Sequence, residues 1–232
     1  MKTKGLIPRA WRLIKRVFLI LFIAQFVYLF ILKWVNPPIT VTQLSNWFAG
    51  YGLKRDYVNK SEMSRNAQLA VISSEDQLFA DHNGFDWKSI EKAMEYNKRK
   101  PNRVHGASTI SQQTAKNVFL WQGRSWVRKG LETYFTFMIE LVWGKRRILE
   151  MYLNVSEMGP GVFGIEAAAQ HYFHKPASQL TRAEASRIAA GLPNPKKFLA
   201  QPAGRYVMAR SAVIQRQMNN LSDDPDIAAI IN

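Results

Sequence analysis

Two acids stand side by side at Glu75-Asp76, directly after the apolar run Leu69-Ala70-Val71-Ile72. A carboxylate at the mouth of a buried segment loses hydration, and a second carboxylate beside it opposes its ionisation. Both effects raise a carboxyl pKa toward the range where it can take up a proton near neutral pH. Phe79, His82, Gly84 and Phe85 follow in quick succession. A second stretch runs Gly106-Ala107-Ser108-Thr109-Ile110-Ser111-Gln112-Gln113 and on to Lys116-Asn117. A glycine and two hydroxyls ahead of helical sequence leave backbone N–H groups free to meet an anion. Gln112, Gln113 and Lys116 add donors on the same helix. Taken alone this pattern is weak, because Ser and Thr cap many helices. A third stretch sets Arg128 and Glu132 one turn apart. By spacing alone the simpler reading is an i,i+4 ion pair of about 0.3–0.5 kcal/mol. The sharper alternative has Glu132 hold a divalent cation while Arg128 and Lys129 face phosphate.

The elements that must position these residues are helical. Ser64 is a cap for a helix through Ala67, Leu69, Val71 and Ile72 toward Glu75. Asp86-Trp87 opens another, and the basic stretch 97–103 reads as a loop. Phe119, Leu120, Trp121 and Trp126 crowd together beside Arg124, as core in a soluble protein or as an interfacial patch in an anchored one. A long helix follows, in which Val127, Leu131, Tyr134, Phe135, Met138, Leu141 and Val142 recur at three- and four-residue steps. That stripe predicts one buried face. Lys145 to Asn154 continues as a helix, and Gly159-Pro160-Gly161 is a turn. Thr181-Arg182-Ala183-Glu184 is a capping box. His171 and His174 lack metal-ligand spacing with carboxylates. No strand alternation persists, so the expected class is all-α. Gly-rich phosphate loops, His-Glu-x-x-His, nucleophile elbows and long repeats do not occur.

The chain has 232 residues, 47% of them apolar, which excludes a disordered polypeptide. Its net charge of +15 calls for a polyanionic partner. With no cysteine there is no disulfide and no thiolate chemistry. Residues 1–16 carry six basic residues and no acid. Val17 to Val35 then forms an apolar run near the roughly 20 residues that a bilayer core needs. It has no polar face and no small-residue cleavage site, and Asn36-Pro37-Pro38 follows it. This reads as an uncleaved anchor, with the basic amino terminus inside and the rest exported. Export argues against nucleic acid and for lipid headgroups or a phosphorylated lipid. The expected division is a cytoplasmic tail (1–16), an anchor (17–35), a linker (36–54), a catalytic domain (55–220) and a loose tail (221–232).

Four motifs occur in order: Glu75-Asp76-x-x-Phe79-x-x-His82-x-Gly84, Gly106-x-Ser108-Thr109-x-x-Gln112-Gln113, Arg128-Lys129-x-x-Glu132 and Lys145-x-x-Ile148-Leu149-Glu150-x-Tyr152-Leu153-Asn154. Together they resemble the peptidoglycan glycosyltransferases of glycosyltransferase family 51, over residues 55–215. Ala107 departs from the second Gly that is commoner there. The chain ends soon after the match, which implies a monofunctional member with no penicillin-binding transpeptidase domain.

The resemblance implies a lysozyme-like helical head and a small membrane-contacting jaw, with Phe119 to Trp126 in the jaw. It implies that lipid II is polymerised to β-1,4-linked glycan with inversion and release of undecaprenyl diphosphate. Glu75 would be the general base and Asp76 a neighbour that orients and tunes it and also contacts substrate, with His82 structural. Ser108, Thr109, Gln112 and Gln113 would line the donor site. Lys116, Arg124, Arg128 and Lys129 would face the diphosphate, with Glu132 placing Mg²⁺ or Mn²⁺. Here the resemblance reverses the reading of Glu132 taken from spacing. The implied partners are lipid II, the growing glycan and the membrane; division or cell-wall synthesis proteins are further partners it admits, and nucleic acid is not one. The implied location is the inner membrane of a Gram-negative bacterium, single-pass, with the catalytic domain periplasmic. Two alternatives remain at this point. One is a lysozyme-like lytic enzyme, which needs a general acid rather than a set of phosphate-facing cations. The other is a non-catalytic, membrane-anchored binder of cell-wall intermediates.

Overall fold

The computed structural model describes residues 6–100, 106–123 and 125–232, with side chains from residue 9 onward. The chain divides into two compact units, 1–36 and 37–232. In the first, helix α1 (Leu6–Ile31) contains the one described helix, Arg9–Ile31, that is long and apolar enough to cross a membrane. It starts well before the expected anchor and ends before it, since residues 32–35 form a turn.

The second unit is all-α with one small sheet. Helix α2 (Val41–Phe48) opens with a capping box between Thr40 and Gln43. It buries Thr42, Gln43 and Asn46 and exposes Val41, Leu44, Trp47 and Phe48. It is a packed element, not the expected linker. Helix α3 (Arg65–Glu75) starts at Ser64, whose hydroxyl accepts from the Ala67 amide at 3.1 Å. Every residue from Ala67 to Ser73 is buried. Large side chains such as Leu69 and Ile72 each contribute roughly 1.5–3 kcal/mol when taken out of water. The continuous apolar run thus makes α3 the central helix and places Glu75 at its last position.

Helix α4 (Trp87–Arg99) buries none of its residues. Helix α5 (Ile110–Phe119) packs against α6 (Trp126–Val142) and α7 (Lys145–Val155). Helix α8 (Ile165–Phe173) follows, and α9 (Arg182–Gly191) and α10 (Arg205–Leu221) enclose α3. Strands β1 (Lys54–Arg55), β2 (Glu157–Gly159) and β3 (Val162–Phe163) form a sheet in the order β1-β3-β2. β3 runs parallel to β1, with Lys54 opposite Val162, and antiparallel to β2. Strands this short cannot show an alternating pattern. At Gly161 (φ +66°) an added Cβ would lie 2.2 Å from the Tyr51 carbonyl oxygen, so the β2–β3 turn closes only with glycine there.

Two further expectations are corrected. The tail beyond 221 is not loose: α11 (Pro225–Ile231) is capped by Asp224 and buries Ile227, Ile230 and Ile231. The stripe on α6 is not one buried face: Tyr134, Phe135, Met138 and Val142 are half-buried, and Val127, Leu131 and Leu141 turn outward. The helix's fully buried residues are Glu132, Thr136 and Ile139, while Val127 and Leu141 are about 70% exposed. Periodicity reveals which residues share a face, but not which medium covers that face. The aromatic cluster before α6 divides likewise. Leu120 is buried and Phe119 stacks on Phe135 at 4.5 Å, whereas Trp126 is 92% exposed.

Candidate active site

Glu75 ends α3 where the chain turns out of the core. Its Oε2 accepts from Gln113 Nε2 at 2.9 Å and its Oε1 from the Ser74 hydroxyl at 3.2 Å. Arg210 on α10 donates to the Ser74 carbonyl at 3.3 Å. Burial pushes the Glu75 carboxyl above the ordinary glutamate value. The bonds from Gln113 and Ser74 and the Arg210 charge oppose this, and Asp76 adds a smaller push upward.

Asp76 performs a different task from its neighbour. Both its oxygens meet His82 Nε2, at 2.9 and 3.1 Å, and Oδ2 also accepts from the Ile110 amide at 2.9 Å. His82 Nδ1 accepts from the Gly84 amide at 3.1 Å, so Nε2 carries the proton given to Asp76. Asp76 thereby ties the end of α3 to the first turn of α5. Its carboxylate is committed to the protein, so the substrate contact expected of it is not what the geometry provides. Gly84 (φ +89°) lets this loop press on α6, since an added Cβ would lie 2.8 Å from the Thr136 methyl.

The Gly106–Gln113 stretch also divides. Thr109 and Gln112 form the capping box of α5, and the Thr109 hydroxyl donates to the Gly84 carbonyl at 2.7 Å. Both are buried and occupied. Ser108 borders the first cleft together with Gly106, Ala107 and the buried Thr109, and Gln113 borders the second. The first cleft, about 580 Å³, has Glu75, Asp86, Ser89, Lys92, Tyr96 and Ser108 among its walls. A second, about 300 Å³, is lined by Gln113, Lys116, Asn117, Tyr152, Ser156 and Glu157, with others. Gln113 stands where the two approach.

Glu132 lies on the inner face of α6, 3% exposed, with both oxygens engaged. Arg128 Nη1 donates to Oε2 at 2.5 Å, and Lys129 Nζ donates to Oε1. The Arg128 Nε also donates to the Gly123 carbonyl at 2.7 Å. Lys116 on α5 is coupled to both acid centres. Burial lowers its pKa, with Arg128 and Lys129 adding to the drop, while Glu132 and Glu75 oppose it. Arg124 lies outside the described residues.

Among the described residues no three His, Cys, Asp or Glu side chains gather around a metal-sized space. Glu132 is the one carboxylate paired with Arg128 and Lys129, so it would be the protein ligand of a divalent ion there, through lone pairs those two cations leave. That fits Mg²⁺ or Mn²⁺ in the limited form usual beside phosphates, with the substrate's own oxygens and water completing the shell.

Sequence reasoning named Asn117 and Tyr152 within its motifs but gave them no role at the site, and it missed Ser156, Glu157 and Arg210 altogether. The last three reach the site from distant parts of the chain, and no local spacing marks them.

Fold and site together define a mainly helical enzyme with a half-buried carboxylate on one side and a knot of cations on the other. The chain belongs to the transglycosylase family, whose profile matches residues 42–219. It is 57% identical over 186 residues to a biosynthetic peptidoglycan transglycosylase of Shigella boydii serotype 4 (strain Sb227), covering 79% of this chain and 77% of that protein. Proteins of the same description from Escherichia coli (strain ATCC 8739) and Shigella sonnei (strain Ss046) match to the same extent.

Proposed function

We propose that the chain polymerises lipid II into β-1,4-linked glycan, with Glu75 as general base. The observation that carries this is a half-buried carboxylate held by Gln113 and Ser74, with Lys116 linking it electrostatically to the Arg128–Lys129–Glu132 cluster. The 4-hydroxyl of the acceptor sugar gives its proton to Glu75 as its oxygen bonds to the donor's anomeric carbon. The bond from that carbon to the diphosphate breaks, and the electron pair leaves with undecaprenyl diphosphate. Attack from the opposite face inverts the centre. Lys116, Arg128 and Lys129 would meet the charge developing on the diphosphate. Glu132 holds the last two in place and would hold Mg²⁺ or Mn²⁺, which supplies further positive charge to the phosphates. A lytic enzyme would need a second carboxyl to protonate a leaving sugar. Glu132 is engaged by two cations, which favours the transferase. Incubation with labelled lipid II tests the proposal: polymer on a gel is the expected product, and cleavage of preformed glycan without polymer would support the lytic reading.

Glu132→Gln is expected to lower polymerisation about 10²-fold, the usual scale for one preorganised electrostatic partner. Mn²⁺ bound in the presence of diphosphate, followed by electron paramagnetic resonance, should fall as well. An unaltered Mn²⁺ signal would count against a metal role for Glu132.

The apolar helix is compatible with a single-pass anchor. We place the amino terminus in the cytoplasm and the transglycosylase domain in the periplasm, since the basic flank precedes the span. The outward apolar residues of α6, with Trp126, would rest against the membrane. Protease added to intact spheroplasts should digest the catalytic domain and spare an amino-terminal tag; the opposite pattern would invert the topology.

A further inference from the structure

Gln113 presents its two amide ends to different neighbours. Nε2 donates to Glu75 Oε2 at 2.9 Å, and Oε1 accepts from the Tyr152 hydroxyl at 3.3 Å. An ionised carboxylate has no proton to give, so only the nitrogen end of the amide can face it favourably. A primary amide is nearly symmetric in shape. Half a turn would set Oε1 against the carboxylate, acceptor on acceptor, with little steric penalty. The phenol opposes that alternative, because its one proton needs an acceptor, and the Ser108 carbonyl, which accepts from Nε2 at 3.4 Å, opposes it from the other end. Tyr152 is 1% exposed on α7 and lines the second cleft, as Gln113 does. Asn117 Nδ2 donates to Ser156 Oγ at 3.4 Å, and both residues line the second cleft beside Tyr152. From the phenol onward the donors run one way, through Gln113 to Glu75.

We propose that Tyr152 is a positioning residue that locks the Gln113 amide with its N–H on Glu75, and that it ties the base to side chains lining the second cleft. This rests on the reading of Glu75 as base. The other charged groups around Glu75 are Asp76 beside it, Lys116 from α5 and Arg210 from α10. Removing the phenol oxygen alters none of them.

Tyr152→Phe tests the lock, since it keeps the ring and deletes only the hydroxyl. Losing a firm bond to the ionised carboxylate should move the acid limb of the kcat profile up by about half to one pH unit. At a pH on that limb the loss reaches up to about tenfold, with KM little changed. In a Gln113→Ala background the same substitution should add nothing further. Gln113→Ala alone, at a half-buried position, should move the limb at least as far, and it reads the same effect if the tyrosine variant fails to fold. Glu75→Gln separates the two ideas. If that variant stays active, the base reading fails. If it is inactive and Tyr152→Phe leaves the limb in place, or lowers activity equally at every pH, the lock fails.

Discussion

Glu75→Gln is expected to reduce polymerisation of purified lipid II by about 10²–10⁴-fold, the range that general-base catalysis contributes. The variant is isosteric, and its amide oxygen can still accept from Gln113. Asp76, His82 and the Ile110 amide form a separate connection that the change does not touch. The fold should therefore persist, with an unchanged melting curve beside the lost activity. Activity within tenfold of the parent would sink the assignment. The pH dependence has a definite sign. Glu75 works deprotonated, so activity is gained as pH rises through its pKa. Burial raises that pKa, so the gain comes at higher pH than for an ordinary glutamate.

Lys116→Met should cost about 10²–10³-fold in kcat, the usual loss when one preorganised partner of a developing anion is removed. Methionine keeps much of the stem and deletes the charge. The loss should fall more on kcat than on KM, because the diphosphate gains charge as the bond breaks. Lys116 works protonated, so its contribution is lost as pH rises through its pKa. Burial lowers that pKa, which brings the loss to lower pH than for an ordinary lysine. The parent should accordingly show a bell-shaped profile narrowed from both sides, and Lys116→Met should abolish its basic limb. A basic limb that survives the substitution would place that titration elsewhere.

How much of this was legible beforehand depended on whether the determinant was local. The Ser64 cap, the Asp86 start of α4 and the Thr181–Glu184 box lie within a few residues of what they control, and each was readable. The end of α3 at Glu75 was readable too, because an apolar run gives way to two acids. The separation of Glu75 from Asp76 was not, since it depends on the Ile110 amide, 34 residues away. Tyr152 stood in the fourth motif, but its contact with the Gln113 amide was hidden for the same reason, the two lying 39 residues apart. The outward turn of the α6 stripe was hidden for a different one. An apolar face looks the same in sequence whether protein or lipid covers it.

That outward turn also sets a working depth. Helix α6 carries apolar side chains on one side and Glu132, with its two cations, on the other. A helix with its side chains is about 10–12 Å across. If the apolar side rests on the bilayer, the cation cluster lies one helix thickness from the acyl chains, at the level of lipid phosphates. A diphosphate carried on a lipid then reaches its cations by sliding sideways in its own leaflet. No step has to lift the greasy tail into water, and the released carrier lipid is already where it must diffuse away.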